Sequence, residues 1–183
     1  MKHKIFLFFG FVALLFSAYH IHTLVIFDFN SKSDLRKWKI VNDDVMGGRS
    51  KSTIDIDSYG NAVFSGKVST ENYGGFASVR YTFGAINRGN SEFVRIRLKG
   101  DGKNYQFRLK SAANDYFAYA KTFSTSNVWE TIDIRLADLE PTFRGRLLDK
   151  PNFNKQALEE ISFLIANKRN ESFKLIIDKI ELY

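Results

Sequence analysis

Short segments in which apolar and polar residues alternate make up most of this chain. Ala62 to Val68, Phe76 to Phe83 and Phe93 to Leu98 each carry apolar side chains at alternate positions. That period of two is typical of half-buried antiparallel strands. Helical signal is limited to Lys155 to Glu160 and Leu136 to Leu139. The pattern therefore predicts an all-β fold, an antiparallel β-sandwich or jelly roll.

Seven further segments are predicted as strands: Leu24 to Phe29, Thr53 to Asp57, Tyr105 to Leu109, Tyr116 to Phe123, Glu130 to Leu136, Ile161 to Ala166 and Phe173 to Leu182. In the last of them the apolar positions change phase, which predicts a β-bulge near Asp178 and Lys179. The run Gly100-Asp101-Gly102 is a hairpin signal that would join the strand before it to the strand after it.

The chain of 183 residues has the length of one ordinary domain, and we assign residues 24–183 to it. Residues 1–20 begin with basic Lys2 and Lys4 and continue as an apolar run, which predicts a signal peptide or an N-terminal membrane anchor. The leader does not resemble a mitochondrial transit peptide. We therefore expect an extracytoplasmic protein, periplasmic, secreted or anchored facing outward, with membrane association through this segment.

The formal net charge is +7, yet the basic residues are interspersed with acidic ones and no nucleic-acid motif accompanies them. We therefore predict a basic soluble surface and no nucleic-acid partner.

Few side chains in the predicted domain suit catalysis. The three histidines, His3, His20 and His22, lie in or beside the leader, and the chain has no cysteine. This pattern excludes a Ser-His-Asp triad, thiol nucleophiles and zinc sites built on Cys or His. A carbohydrate-active enzyme that uses two aspartates remains an alternative, with Asp43, Asp44, Asp55, Asp57, Asp101, Asp133 and Asp178 as the candidates.

The run from Asn42 to Ser50 contains Asn42, Asp43 and Asp44, followed by the pair Gly47 and Gly48. Asn and Asp side chains bind nearby backbone groups, and glycines permit a positive φ, so this run predicts a compact loop. The same oxygens are hard ligands of the kind that Ca²⁺ prefers. Loop closure is the interpretation we adopt, and we predict no metal and no cofactor.

A second glycine loop, from Glu71 to Gly75, contains Tyr73 and leads to Phe76. The predicted outward face of the following strands carries Phe76, Arg80, Arg95, Arg97, Gln106, Arg108 and Lys110. If these strands were neighbours in one sheet, they would form a basic face for a sugar, an acidic ligand or a partner protein. The alternative is a solvated face that serves only solubility.

Large aromatic side chains more often fill a sandwich core than bind a ligand. We therefore assign Trp38, Trp129, Phe64, Phe107 and Phe163 to the core. Tyr73, Tyr116 and Tyr119 lie next to loops and are the candidates for an exposed platform.

Several motifs in a fixed order resemble the complex I intermediate-associated protein 30 family. They are Asn42 to Ser50, Gly74 to Arg80, Gly100-Asp101-Gly102 followed by Tyr105, Trp129, Pro141 to Gly145 with Arg144, and the final Phe173 to Ile180. The resemblance implies a galactose-binding-like fold. It also implies the role of the mitochondrial members, which act as assembly chaperones for respiratory complex I without doing chemistry, and it supplies no catalytic residues.

The sequence thus predicts a non-catalytic module that binds a protein partner or a carbohydrate, with a chaperone-like assembly factor for a membrane respiratory complex as an alternative. The predicted binding residues are Asn42, Asp43, Asp44, Gly47, Gly48, Tyr73, Gly75, Phe76, Arg80, Arg108 and Arg144.

Overall fold

The computed structural model describes residues 23–183, which form two antiparallel sheets with short 3-10 helices at Asp43–Met46, Glu71–Tyr73 and Leu136–Asp138. The strands are β1 (Leu24–Asp28), β2 (Trp38–Ile40), β3 (Lys51–Ile56), β4 (Ala62–Val68), β5 (Ala77–Asn87), β6 (Phe93–Lys99), β7 (Asn104–Lys110), β8 (Ala118–Ser124), β9 (Trp129–Arg135), β10 (Glu140–Phe143), β11 (Arg146–Leu147), β12 (Ala157–Ile165) and β13 (Glu171–Leu182). The predicted all-β fold is confirmed.

One sheet has six strands in the order β3-β4-β13-β6-β9, and β1 pairs with β13 beyond the end of β4. The other sheet has seven strands in the order β11-β10-β8-β7-β12-β5-β2. The long strand β13 lies at the centre of the first sheet, and β12 lies between β7 and β5 in the second.

The core lies where both sheets turn one parity of side chains toward each other. Phe64, Phe107 and Phe163 have no exposed surface, and Trp38 is also buried, as predicted. The assignment of Trp129 to the core is wrong, because this residue is 40% exposed. It shares parity with the outward Asp133 of β9, whereas Ile134, of the opposite parity, is buried.

The phase change in the last strand is a β-bulge, as predicted. The register of β13 against β6 shifts between Ile177 and Lys179. The extra residue lets Ile177 and Ile180 both reach the core, and neither has any exposed surface.

The predicted hairpin at Gly100-Asp101-Gly102 is wrong. The strand before it, β6, belongs to the six-stranded sheet and the strand after it, β7, to the seven-stranded sheet, so the segment is a crossover between the sheets. Asp101 fixes the crossover by accepting hydrogen bonds from the Tyr105 hydroxyl at 2.9 Å and from the Lys174 amide at 3.0 Å. A turn signal specifies a change of direction but not the strand with which the chain pairs next.

The helical signal at Lys155 to Glu160 is also wrong, because β12 begins at Ala157. This strand pairs on both sides, and backbone pairing inside a sheet outweighs the weak helix propensity of the sequence. The second helical signal corresponds to the 3-10 turn at Leu136–Asp138.

The predicted leader, residues 1–20, lies outside the described residues. Within residues 23–183 no helix is long and apolar enough to cross a membrane.

Replacing Phe163 by Ala tests the shared core. Phe163 packs edge-on against Phe107 at 5.8 Å and has no exposed surface. We expect Phe163→Ala to lower the free energy of unfolding by about 3–5 kcal/mol in urea denaturation, because it leaves a cavity between the sheets. The control Val128→Ala, at a side chain that is 63% exposed, should change it by less than about 0.5 kcal/mol. Equal effects of the two variants would contradict this packing.

Candidate functional site

Asp43 is the centre of the glycine loops. It has no exposed surface, and its Oδ2 accepts hydrogen bonds from the amides of Gly75 at 2.6 Å and Phe76 at 3.1 Å, and from the Ser50 hydroxyl. Its Oδ1 accepts from the Ser50 amide at 2.9 Å. One carboxylate therefore fastens the loop after β2 to the loop before β5.

The charge of Asp43 is stabilised in the fold. Burial acts to raise the pKa of this carboxyl, but the hydrogen bonds from Ser50, Gly75 and Phe76 outweigh it and hold the pKa below its usual value. A carboxylate whose lone pairs are filled by backbone amides is poorly suited to act as an acid or a base. This agrees with the interpretation of Asp43 as a residue that closes the loop.

In each glycine pair, one glycine adopts a positive φ, and the other lies so close to Asp43 that a side chain would not fit. Gly47 and Gly75 have φ of +89° and +134°, conformations that residues with a Cβ rarely adopt. A Cβ on Gly48 would collide with the Asp43 carboxylate, and one on Gly74 would lie 2.7 Å from Asp43 Oδ2. The two pairs are thus built around the same side chain.

The three polar side chains at the start of the loop point in different directions. Asn42 Oδ1 accepts a hydrogen bond from the Ser52 hydroxyl at 2.7 Å, whereas Asp44 is exposed and its Oδ1 accepts from the neighbouring Val45 amide at 3.1 Å. Across residues 23–183, no group of three His, Cys, Asp or Glu side chains is placed to hold a metal ion. The Ca²⁺ hypothesis therefore has no convergent ligand set in this loop.

The two fastened loops, residues 42–50 and 71–76, form a rim at one end of the sandwich. Arg49 Nη1 donates to Glu71 Oε2 at 2.7 Å and adds a second link between them. The rim exposes three large side chains: Val45 is 70% exposed, Met46 54% and Tyr73 96%. Tyr73 was predicted from the sequence to be exposed. Val45 and Met46, which follow Asp43 on the same 3-10 turn, were not among the predicted binding residues.

The predicted basic face is divided between the two sheets. Arg95 and Arg97 lie on β6 in the six-stranded sheet, where they form ion pairs with Asp133 at 2.8 Å and with Asp178 at 2.9 Å. Arg80 and Arg108 lie on the other sheet, opposite each other across Ser162 of β12. Strand order, which the sequence did not reveal, decides this division.

The remaining basic face consists of Arg80, Arg108 and Lys110, with Glu160 among them. Glu160 is buried and lies 3.3 Å from Arg80 Nε and 3.6 Å from Lys110 Nζ. This carboxylate was not among the predicted binding residues, because Glu160 lies in the segment that was predicted to be helical. Arg144 does not belong to this group, since it lies in the β10–β11 turn near the opposite edge of the sheet, over the Phe143 ring at 5.2 Å.

The aspartates considered for catalysis serve separate contacts. Asp57 accepts hydrogen bonds from the backbone amides of Tyr59 and Asn61 in a turn. Asp133 binds Arg95 through two hydrogen bonds of 2.8 Å. Asp57 and Asp178 line one cleft on the outer face of the six-stranded sheet. Each is held there by a neighbour, since Asp57 accepts from the Asn61 amide at 2.8 Å and Asp178 lies 2.9 Å from Arg97 Nε.

A cleft of about 570 Å³ crosses the outer face of the six-stranded sheet. Trp129 and the turn that carries Tyr59 line it, together with Arg97, whose guanidinium lies 5.3 Å from the centre of the Trp129 ring. Trp129 and Lys99 are paired across neighbouring strands, so the exposed ring sits beside a cationic group.

The chain has relatives among known proteins. A family model described as complex I intermediate-associated protein 30 matches residues 27–177. The chain belongs to this family. The match includes both glycine loops and every strand that carries the basic face.

Curated relatives carry the same description. The probable complex I intermediate-associated protein 30, mitochondrial, of Caenorhabditis elegans is 26% identical and covers 90% of this chain. Its counterparts in Drosophila melanogaster and Mus musculus are 23% and 22% identical and each covers 87% of the chain. The chain spans only 55% to 62% of the length of these relatives.

Among solved structures, the fold is similar to carbohydrate-binding modules. The family 11 module of a cellulosomal cellulase of Clostridium thermocellum superposes with a TM-score of 0.66 at 17% identity, covering 88% of this chain and 94% of the module. A structure of that family 11 module in complex with a β-1,3-1,4-mixed-linked tetrasaccharide gives a TM-score of 0.66 at 19% identity, with 87% and 94% covered. These values establish a shared β-sandwich fold.

The predicted extracytoplasmic location is contradicted by the relatives, which are named mitochondrial proteins. The prediction depended on a basic start followed by an apolar run. Such hydropathy favours insertion into a membrane but does not specify which membrane.

Replacing Asp43 by Asn tests the link between the loops. We expect Asp43→Asn to lower the free energy of unfolding at pH 7 by at least about 2 kcal/mol, because its new amide group faces backbone N–H donors. The pKa of Asp43 in the folded state is below the unfolded value of about 3.9. The carboxylate therefore contributes fully to the free energy of unfolding above that pH, and this contribution is lost as the pH falls through the folded-state pKa. The difference in the free energy of unfolding between wild type and Asp43→Asn should therefore become smaller below about pH 4.

Urea denaturation at several pH values measures this difference in the free energy of unfolding. Asp44→Asn is the matched control, since Asp44 is exposed and accepts one local hydrogen bond, and it should change the free energy of unfolding by less than about 0.5 kcal/mol. A difference for Asp43→Asn that stays constant between pH 7 and pH 3 would contradict the assigned role of its charge.

Proposed function

We propose that the chain is a non-enzymatic binding protein that acts as an assembly factor for respiratory complex I and holds a protein partner at the rim. Family membership supports the assembly role, because the relatives are named for their association with a complex I intermediate. The single observation that carries the binding role is the rim itself, where apolar side chains stand exposed on loops that Asp43 fixes.

The exposed side chains have the composition of a protein interface. Tyrosine and methionine are enriched at the centres of such interfaces, where one large anchor can contribute 2 kcal/mol or more. A fixed loop favours binding further, because little conformational entropy is lost when the partner arrives. Met46 and Tyr73 meet both conditions, and Val45 adds exposed apolar surface beside Met46. The hydrogen bonds to Asp43 and the Arg49–Glu71 pair hold their loops.

The test compares two triple variants in a deletion strain of the source organism. Val45→Ser/Met46→Ser/Tyr73→Ser should fail to restore assembled complex I on native gels. It should also lose most of the cross-linking of the tagged chain to complex I subunits, since the loss of one anchor weakens binding by about 30-fold.

The control variant is Val25→Ser/Val128→Ser/Leu147→Ser, which removes an equal number of exposed apolar side chains away from both the rim and the cleft. Their exposed fractions are 45%, 63% and 65%. It should restore assembly as wild type does. Normal complex I assembly in the deletion strain itself would overturn the assembly role. Equal behaviour of the two triple variants would overturn the rim as its site.

A carbohydrate is the second candidate ligand, and the exposed Trp129 favours it. A sugar ring has an apolar C–H face that stacks on an indole and hydroxyls that bond to neighbouring polar groups. Asn61 and the Arg97–Asp178 pair line the same cleft as Trp129. The similar fold of a module solved with a bound tetrasaccharide supports the idea without locating a site in this chain.

Tryptophan fluorescence tests this candidate directly. The chain has two tryptophans, and Trp38 is buried while Trp129 is exposed, so a ligand in the cleft changes the emission of Trp129 alone. Titration with the mixed-linked tetrasaccharide should give a saturable change that disappears in Trp129→Phe. Unchanged emission up to millimolar tetrasaccharide would remove this candidate.

A further inference from the structure

The outward face of the seven-stranded sheet brings four charged side chains into two neighbouring rows. In one row, the register places Arg80 of β5 and Arg108 of β7 on either side of Ser162. In the next row, Glu160 lies between Thr82 of β5 and Lys110 of β7. Three cations thus surround one carboxylate.

Glu160 is already fully engaged. Its Oε1 lies 3.3 Å from Arg80 Nε and 3.6 Å from Lys110 Nζ, and its Oε2 accepts a hydrogen bond from the Thr82 hydroxyl at 3.2 Å. Arg80 Nε nevertheless forms no hydrogen bond in the part of the chain that the structure describes, although the atom is buried. Arg80 and Lys110 therefore share one buried negative charge.

Arg108 has no carboxylate within 4 Å among residues 23–183. Its recorded polar contact is a long one, from Nη2 to the Thr142 hydroxyl at 3.4 Å. To reach Thr142 on β10 the side chain crosses β8, where the residue opposite Arg108 is the small Ala120. Burial, and then the charge of Arg80, lower the pKa of Arg108, while Glu160 acts in the opposite direction.

Two other charged side chains on this face, one of each sign, leave its net charge unchanged. Lys39 of β2 is opposite Arg80, and Glu140 of β10 is opposite Ala120. Neither forms an ion pair within 4 Å in the described residues. An excess of two positive charges therefore remains between β5 and β7. Arg108 is the cation there without a nearby carboxylate in the described residues, and water is partly excluded around it. An anion would therefore be held most strongly at Arg108.

We propose that Arg80 and Arg108 form a carboxylate seat above Ser162 that receives an aspartate or glutamate of a partner protein. The inference deepens the proposed function, because it gives the chemistry of the bound segment. Glu160 supports the choice of a carboxylate, since it is one and is held by two cations of the same face.

The seat adjoins the rim. Phe76, which binds Asp43 through its amide, and Arg80 lie on the same run of chain. Four residues of extended strand span about 14 Å. An extended acidic segment of a few residues can therefore contact both the rim and the seat.

Peptide binding tests the seat in isolation. We expect a hexaglutamate peptide to bind the whole chain in isothermal titration calorimetry at low salt, and to bind less tightly as salt screens the charges. Arg80→Gln/Arg108→Gln should weaken binding at least tenfold. Arg95→Gln/Arg135→Gln removes the same charge from the other sheet and should change the affinity by less than twofold.

Glu160→Gln gives a result of the opposite sign. It removes the internal carboxylate, raises the excess positive charge of the seat by one, and should tighten hexaglutamate binding at least threefold in protein that circular dichroism shows to be folded. Weaker binding by the folded variant would overturn the proposal. Lack of hexaglutamate binding by wild type, equal binding of hexaglutamine, or inorganic phosphate competing at equal concentration would also overturn it.

The outcomes separate this inference from the proposed function. If rim variants abolish complex I assembly while hexaglutamate does not bind, the seat is wrong and the proposed function stands. If hexaglutamate binds as expected but the deletion strain assembles complex I normally, the proposed function is wrong and the seat stands.

Discussion

The buried carboxylate of Asp43 is the interaction on which this end of the sandwich depends. Its loop carries the chain from β2 in the seven-stranded sheet to β3 in the six-stranded sheet, and the loop it binds carries the chain back from β4 to β5. The hydrogen bonds from Ser50, Gly75 and Phe76 therefore join two crossovers between the sheets. A buried charge is tolerated there because backbone amides replace its hydration.

This geometry explains how loops can serve as a binding surface. Two segments with little regular structure would lose entropy on binding if they were mobile. Here the carboxylate holds both from below and the Arg49–Glu71 pair links them at the surface, so Tyr73 is presented on a fixed support. The side chain that matters most for the rim is thus one that a partner would never touch.

The arginine side chains of the two sheets differ in how many carboxylates lie near them. Arg95 and Arg97 have nearby carboxylates and are balanced within their own sheet. On the seven-stranded sheet one buried glutamate, Glu160, serves two cations while Arg108 has none within 4 Å among the described residues. Identical alternation in the sequence therefore gives a neutralised face on one side and a basic face on the other.

The sequence by itself determined most of the long strands but not the short β2, β10 and β11. It also determined the inward parity of Phe107 and Phe163, the bulge in β13 and the compactness of the Asn42–Ser50 loop. These features follow from local alternation and turn chemistry, which operate over a few residues. Only the tertiary structure decided that Gly100–Gly102 crosses between sheets, that β12 begins at Ala157 inside a segment with helical signal, and that Arg80 faces Arg108 across Ser162. Strand order depends on pairing between residues far apart in the chain, as in Arg80 with Ser162 or Leu24 with Leu182, and no local pattern contains that information.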